Sequence, residues 1–182
     1  MTVIETDRLA IRNFRAEDSE ALYRMICQYE ESEYAKYDHQ WPTSLEEITE
    51  VVAWFATGDS YLAICLRSTD EFAGFVSLNK ESRDDLREYN LGYCFDFNCR
   101  GKGYALEACK ALINYAFDHL HADQIISGTA ADNRPSCRLL ERLGFKKTSE
   151  GIVSFRKTVD GEPIEFIGHS YNLSRKPEPS SA

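Results

Sequence analysis

Tyr89-Asn90-Leu91-Gly92-Tyr93-Cys94-Phe95-Asp96-Phe97 runs without a break into Asn98-Cys99-Arg100-Gly101-Lys102-Gly103-Tyr104-Ala105, and the order of residue types across these two segments decides the fold. In the first segment Tyr89, Leu91, Tyr93, Phe95 and Phe97 fall on one side of an extended chain, with Asn90, Gly92, Cys94 and Asp96 on the other. That is the two-residue period of a strand with one bulky apolar face and one small or polar face. The second segment breaks the alternation with two glycines and opens a helix from about Gly103 to Leu120, after which Gln124–Thr129 reads as another strand. Strand, helix and strand in succession make a βαβ unit, whose two strands are parallel and whose crossover is right-handed.

The junction between that strand and its helix is where ligand chemistry is expected. The first amides of a helix have no intrahelical acceptor and lie at the positive end of its dipole, so they suit a phosphate. Gly101 and Gly103 remove side chains that would keep a phosphate from the backbone, and Arg100 and Lys102 add charge. The glycines alone leave two readings, a diphosphate cradle or a tight strand-to-helix turn. A P-loop is excluded because G-x-x-x-x-G-K-[ST] is absent. A dinucleotide fingerprint fails because Leu106 stands where Gly or Ala belongs. Asp123 follows at a tempting distance, but it precedes the second strand instead of ending it.

Outward from this unit, residues 3–12 alternate weakly and read as one strand. Glu17 and Asp18 begin a helix through Ile26, and Pro42-Thr43-Ser44 opens a second with Ile48, Val51, Val52 and Phe55 at helical spacing. Tyr61–Leu66 and Phe72–Asn79 read as strands joined by a polar turn, and the charged run 81–87 as a loop. Asn133 beside Pro135 begins another helix, which Gly144 ends. A chain of 182 residues suits one domain, and 43% hydrophobic content excludes disorder. The net charge of −9 argues against a nucleic-acid partner. Two readings stand for the acids Glu30, Glu31, Glu33, Glu46, Glu47 and Glu50: solvated helix faces, or the lining of a site for a cation.

Six scattered cysteines without C-x-x-C spacing, an N-terminus lacking an apolar core segment, and no apolar run of membrane length lead to the expectation of a cytoplasmic chain with reduced thiols, not bound to a membrane. His119 and His121 do not share a helix face and no other Cys/His cluster has ligand spacing, so no metal is expected. The Pro- and Ser-rich end, residues 174–182, reads as a flexible tail.

Arg100-Gly101-Lys102-Gly103-Tyr104-Ala105, with Glu107 just after, resembles the pyrophosphate-binding motif of the GNAT superfamily of N-acetyltransferases. Asn133-Arg134-Pro135-Ser136 and then Leu139-Leu140-Glu141-Arg142-Leu143-Gly144-Phe145 resemble that superfamily's next block. The opening Glu5-Thr6-Asp7-Arg8-Leu9-Ala10-Ile11-Arg12, with Asp18, is similar to the branch that acetylates ribosomal-protein N-termini, and so is the ending around Asp160-Gly161 and Ser170-Tyr171-Asn172-Leu173. The resemblance implies one acetyltransferase domain over residues 1–173. Its fold is α/β (α+β): a central mixed, mostly antiparallel sheet with one splayed parallel strand pair, flanked by about four helices. It implies acetyl-CoA as co-substrate, an amine acceptor on a peptide N-terminus or a small molecule, and a monomer or homodimer.

In the family the pantetheine arm lies between the splayed strands, which points to Phe95, Asp96 and Phe97, with a backbone N–H near Cys94–Phe95 for the oxyanion. Arg100 through Ala105, Asn133 and Ser136 are the remaining expected cofactor contacts. The sequence departs from the family at Asn98, where Gln or Arg is common, and at Leu140, where many relatives place a tyrosine acid. Ser136 matches the serine that stands in for that acid in the ribosomal-type branch; the bland alternative is a first-turn serine. Asn90 occupies a position that is often glutamate, so Glu88, two residues earlier on the same face, is the candidate base, with His39 in the acceptor-side loop. The missing tyrosine and base motivate a second reading, a non-catalytic acyl-CoA-binding module.

Overall fold

The computed structural model describes residues 3–81 and 86–175. Eight strands form one sheet: β1 (Val3–Glu5), β2 (Leu9–Asn13), β3 (Tyr61–Leu66), β4 (Phe72–Lys80), β5 (Glu88–Phe95), β6 (Gln124–Ala130), β7 (Lys146–Lys157) and β8 (Pro163–Ser174). Their spatial order is β1-β2-β3-β4-β5-β6-β8-β7, antiparallel throughout except for β5 and β6. Among the described residues four α-helices accompany the sheet: α1 (Ser19–Glu30), α2 (Leu45–Phe55), α3 (Tyr104–Asp118) and α4 (Arg134–Arg142). The sheet is mixed and mostly antiparallel, with one parallel pair, as the sequence led us to expect.

Strand alternation builds two cores, one on each face. Leu62 and Ile64 of β3, with Val76 and Leu78 of β4, pack beneath Leu112 of α3 and Leu140 of α4. Their neighbours Ala63 and Phe75 turn the other way, toward Leu22 and Ile26 of α1 and Val52 and Phe55 of α2. Leu112 is 1% exposed, and truncating such a residue to alanine costs about 2–5 kcal/mol.

The stretch 3–12, expected as one strand, is two strands of a hairpin, with Val3 opposite Arg12 and Glu5 opposite Ala10. Thr6 closes the turn: its N–H donates to Leu9 O at 2.9 Å, and its hydroxyl oxygen accepts the Leu9 N–H at 3.0 Å. A single-strand reading of the weak alternation passes straight through the polar run Glu5-Thr6-Asp7-Arg8, where the chain reverses. Asp18 ties the start of α1 to β2, accepting both guanidinium N–H groups of Arg12 at 2.8 and 2.9 Å in a buried pair. Ser44 caps α2 by accepting the Glu47 N–H at 3.3 Å.

Two more boundaries differ from expectation. β5 stops at Phe95, because the Asp96 carboxylate accepts the Asn98 N–H at 2.7 Å and folds residues 97–99 into a short 3-10 turn. β8 runs through Ser174, opposite Gln124, and takes in the first residue of the stretch read as a tail. Residues 176–182 and 82–85, the latter inside the expected loop 81–87, lie outside the described residues. No helix of the described residues is long and apolar enough to cross a membrane.

Candidate active site

β5 and β6 pair over only three positions, Glu88–Gln124, Tyr89–Ile125 and Asn90–Ile126. Ser127 donates its hydroxyl to Leu91 O at 2.9 Å, and beyond this link the strands part. The backbone of β5 from Gly92 to Phe95 thus borders a gap in the sheet, and a cavity opens on each side of it.

The first cavity, about 600 Å³, lies where β5 hands over to α3. Gly101 and Gly103 sit at φ +74° and +81°, in the left-handed region that side chains resist. Their conformations turn the chain so that α3 starts with its unpaired first-turn amides at the cavity, which Tyr104, Ala105 and Leu106 line. The turn is braced from behind. Arg8 donates to Lys102 O at 2.8 Å, stacks over the Tyr104 ring at 4.7 Å, and holds Glu107 of α3 through its Nε at 2.7 Å. Thr6 donates to the same carboxylate at 2.6 Å. Burial would raise the Glu107 carboxyl, but these hydrogen bonds outweigh it and hold the group below its ordinary value.

Among the described residues three arginines line this cavity and no acid does. Arg100 lies flat on Phe97, 3.6 Å from its centroid, and 5.3 Å from Tyr34. Arg138 and Arg142, on α4, complete the set. With the helix amides they make the cavity a site for an anion.

The second cavity, about 620 Å³, lies between the parted ends of β5 and β6, the segment around Asp38, and the β7–β8 hairpin. Its walls include Asn90, Ser127, Tyr37, Phe155, Phe166 and Asp38. Arg156 joins two of the walls: it donates to Asp38 O at 2.8 Å and His39 O at 3.0 Å, and forks onto Glu30 at 2.8 and 2.7 Å. Burial pushes the Glu30 carboxyl up, yet the bonds from Arg156 and from the Trp41 N–H prevail and keep it below its usual value.

The two cavities share four residues, Tyr29, Tyr93, Asn133 and Ser136, so they meet at the start of α4. Asn133 caps that helix by accepting the Ser136 N–H at 3.3 Å, which fixes Ser136 in the first turn. The Ser136 hydroxyl lies 2.8 Å from the Tyr93 hydroxyl. Burial drives the Tyr93 phenol far above its ordinary range, against the smaller opposite effect of Ser136, so the pair is two neutral hydroxyls at physiological pH.

Of the expected cofactor contacts, Phe95, Phe97, Arg100, Gly101, Gly103, Tyr104, Ala105, Asn133 and Ser136 all line the first cavity. Asp96 and Lys102 do not: the Asp96 carboxylate is turned to Asn98, and Lys102 faces Arg8 with its carbonyl. Glu88 lines neither cavity. It is 1% exposed, accepts a hydrogen bond from Gln124, and begins β5 at roughly 23 Å along the strand from Phe95, given about 3.3 Å per residue. His39 stacks on Phe155 at 4.6 Å outside the lining, and its neighbour Asp38 faces the cavity instead. Leu140 is fully buried in the core. None of the six acids considered for a cation site lines either cavity.

Sequence reasoning missed Tyr93, Asp38, Arg138 and Arg142. The arginines carried a signal: Pro135, Arg138, Leu139 and Arg142 recur at helical spacing and so share one face of α4. Asp123, set aside as a ribose ligand, instead receives the Arg87 N–H at 2.9 Å and gives its carbonyl to the Arg175 N–H at 3.1 Å.

A glycine turn opening on a helix N-terminus, beside a parted parallel strand pair with arginines on one side, is an arrangement suited to an anionic ligand. Residues 8–146 match the model of the acetyltransferase (GNAT) domain family, and the chain belongs to that family. It is 30% identical over 172 residues, covering 91% of this chain and 93% of the other, to the uncharacterized N-acetyltransferase p20 of Bacillus licheniformis. It is 26% identical to the [ribosomal protein uS5]-alanine N-acetyltransferase of Escherichia coli, with 87% and 84% of the two chains covered. The crystal structure of a GNAT-family acetyltransferase from Bacillus anthracis superposes with a TM-score of 0.80 at 23% identity, covering 95% of this chain and 98% of that one.

Proposed function

We propose that this chain, as a single domain over residues 1–173, transfers the acetyl group of acetyl-CoA to a primary amine by direct attack in a ternary complex. The observation that carries this reading is the pair of cavities, one lined by arginines and the other containing Asp38, that meet at Ser136 and Tyr93. The arginine-lined cavity takes the cofactor phosphates on the amides of α3, and the pantetheine arm runs along β5 toward the junction. The amine nitrogen attacks the thioester carbon from the second cavity, and a backbone N–H near Cys94–Phe95 receives the developing oxyanion. As the carbon–sulfur bond breaks, the thiolate takes the Ser136 hydroxyl proton, Tyr93 replaces it from 2.8 Å away, and the proton shed by the attacking nitrogen passes through solvent in the second cavity to return Tyr93 to its neutral form. Family membership, and the relative that acetylates a ribosomal-protein alanine, support an α-amine as acceptor. An α-amine, with a pKa of about 7.7–8.0, needs far less help to become neutral than lysine at about 10.4.

The test is release of free thiol from acetyl-CoA, with peptides that carry a free α-amine set against N-terminally blocked, lysine-containing peptides at pH 7. We expect turnover on the first set. A strong preference for the second would overturn the α-amine assignment. The buried Leu140, where relatives carry a tyrosine acid, favours a second reading as a non-catalytic acyl-CoA-binding module. Tight CoA binding with no thiol release across amines of every class would establish that reading.

A further inference from the structure

The second cavity contains a charge that the mechanism above does not use. Among the described residues that line it are two acids, Asp38 and Glu150, and no lysine or arginine. Glu150 is 59% exposed and paired with Lys147 at 2.5 Å, so its charge is met at the protein surface. Asp38 is different. Its carboxylate accepts the His39 N–H at 2.7 Å and the Trp41 indole N–H at 3.4 Å, both neutral donors that leave the charge in place. The nearby guanidinium, Arg156, donates to the Asp38 backbone carbonyl and forks onto Glu30; the Asp38 carboxylate acts on it only through space, as a smaller influence than Glu30. The negative field of Asp38 reaches the junction, where after burial it is the next cause of the raised Tyr29 phenol and Cys94 thiol, the latter pushed up to about 12.

The same cavity has aromatic residues in its wall. Tyr37 meets Phe166 edge-on at 5.2 Å, and Phe166 meets Phe155 at 5.7 Å. Aromatic faces attract an ammonium and accept a flat apolar body, and a volume near 620 Å³ matches a small-molecule site. We infer that the second cavity binds its ligand as a cation, with Asp38 as counter-ion, and selects amines that carry an aromatic or bulky apolar group a few bonds from the nitrogen. Arylalkylamines and peptide N-termini with an aromatic first residue share that chemistry. The inference rests on the assignment of this cavity to the acceptor, and it adds the class of amine admitted.

The experiment is calorimetric titration of the CoA-saturated protein with phenethyltrimethylammonium, a cation that cannot be acetylated. 3-Phenyl-1-propanol and 3-phenylpropanoate serve as uncharged and anionic counterparts. We expect the cation to bind at least about tenfold more tightly than the alcohol and the carboxylate to be weakest, as one counter-ion in a partly desolvated site would give. Asp38→Asn should abolish the advantage of the cation over the alcohol, while Glu150→Gln keeps it. Unchanged CoA affinity in Asp38→Asn reports an intact fold. Equal binding of the three probes, tighter binding of the carboxylate, or a cation advantage that survives Asp38→Asn would each overturn the inference. The readout is independent of turnover. A protein that prefers the cation yet never releases thiol from acetyl-CoA defeats the catalytic reading alone, and one that acetylates amines without preferring the cation defeats this one alone.

Discussion

A valine at Gly101 separates a phosphate cradle from a plain turn. The native φ of +74° is one that an L-residue occupies at a cost of about 1–2 kcal/mol, and a β-branched residue at about 3. No heavy atom lies within 4 Å of where the new Cβ would stand, so the cost is conformational and not a clash. Gly103 is a less clean probe, because its Cβ would press on the Arg8 guanidinium at 3.4 Å and disturb the brace to Glu107. A domain with about 5–15 kcal/mol of stability survives the change at Gly101, and the melting curve should show a folded protein. The strained turn is relieved by rotating its peptides away from φ > 0, which takes the amides out of their alignment with the cavity. Hydrogen bonds to a charged group contribute about 1.5–3 kcal/mol each. Losing two removes about 3–6 kcal/mol, a rise in the CoA dissociation constant of about 10² to 10⁴. Calorimetry on folded Gly101→Val measures it directly. An affinity within about threefold of the native value, in a protein whose melting curve shows the fold intact, would refute the cradle and leave Gly101 as a turn residue only.

Ser136→Ala should lower turnover by about tenfold to a hundredfold with little change in acetyl-CoA binding, serine being a weak acid at the bottom of the usual general-acid range. Tyr93→Phe removes the other hydroxyl of the 2.8 Å pair, and the double variant should be no worse than Ser136→Ala alone; additive losses in steady-state kinetics would separate the two residues. Arg142→Ala should weaken CoA binding by roughly tenfold and flatten its salt dependence without altering acceptor preference, as titrations at two ionic strengths would reveal. The lowered Glu30 carboxyl contributes stability that is fully present above its unfolded pKa of about 4.3 and is lost as pH falls through its lower folded value. Acid denaturation of Glu30→Gln, weaker at pH 7, should therefore show a shallower loss below pH 4 than the native chain, and parallel curves would contradict this.

What the sequence disclosed depended on how local the cause was. The βαβ unit was legible because alternation, two glycines and a helical run each act within a few residues. The Thr6 turn was not, because beside its one backbone bond it is held by a threonine hydroxyl to Leu9 and to the distant Glu107, and no Gly, Pro or Asn marks the place. Tyr93 read as one more apolar residue of β5, and only the fold brings its hydroxyl to Ser136, 43 positions away. Glu88 was chosen by its strand face, but position along the strand decides as well: the gap opens after Asn90, and Glu88 lies before it. Asp38 gave no local signal, since its standing at the cavity depends on Arg156, 118 residues later, which holds its carbonyl.

The Arg156 fork couples two walls of one cavity that are far apart in the chain. The first cavity is drawn mostly from residues 93–106 and 133–142, and the second has among its walls the Tyr37–Asp38 segment and the β7–β8 hairpin. Arg156 ties those two walls to each other, by bonds to Glu30, Asp38 and His39 and to no residue of the glycine turn. A change in either wall is therefore felt by the other through one side chain, while the glycine turn stands outside that linkage.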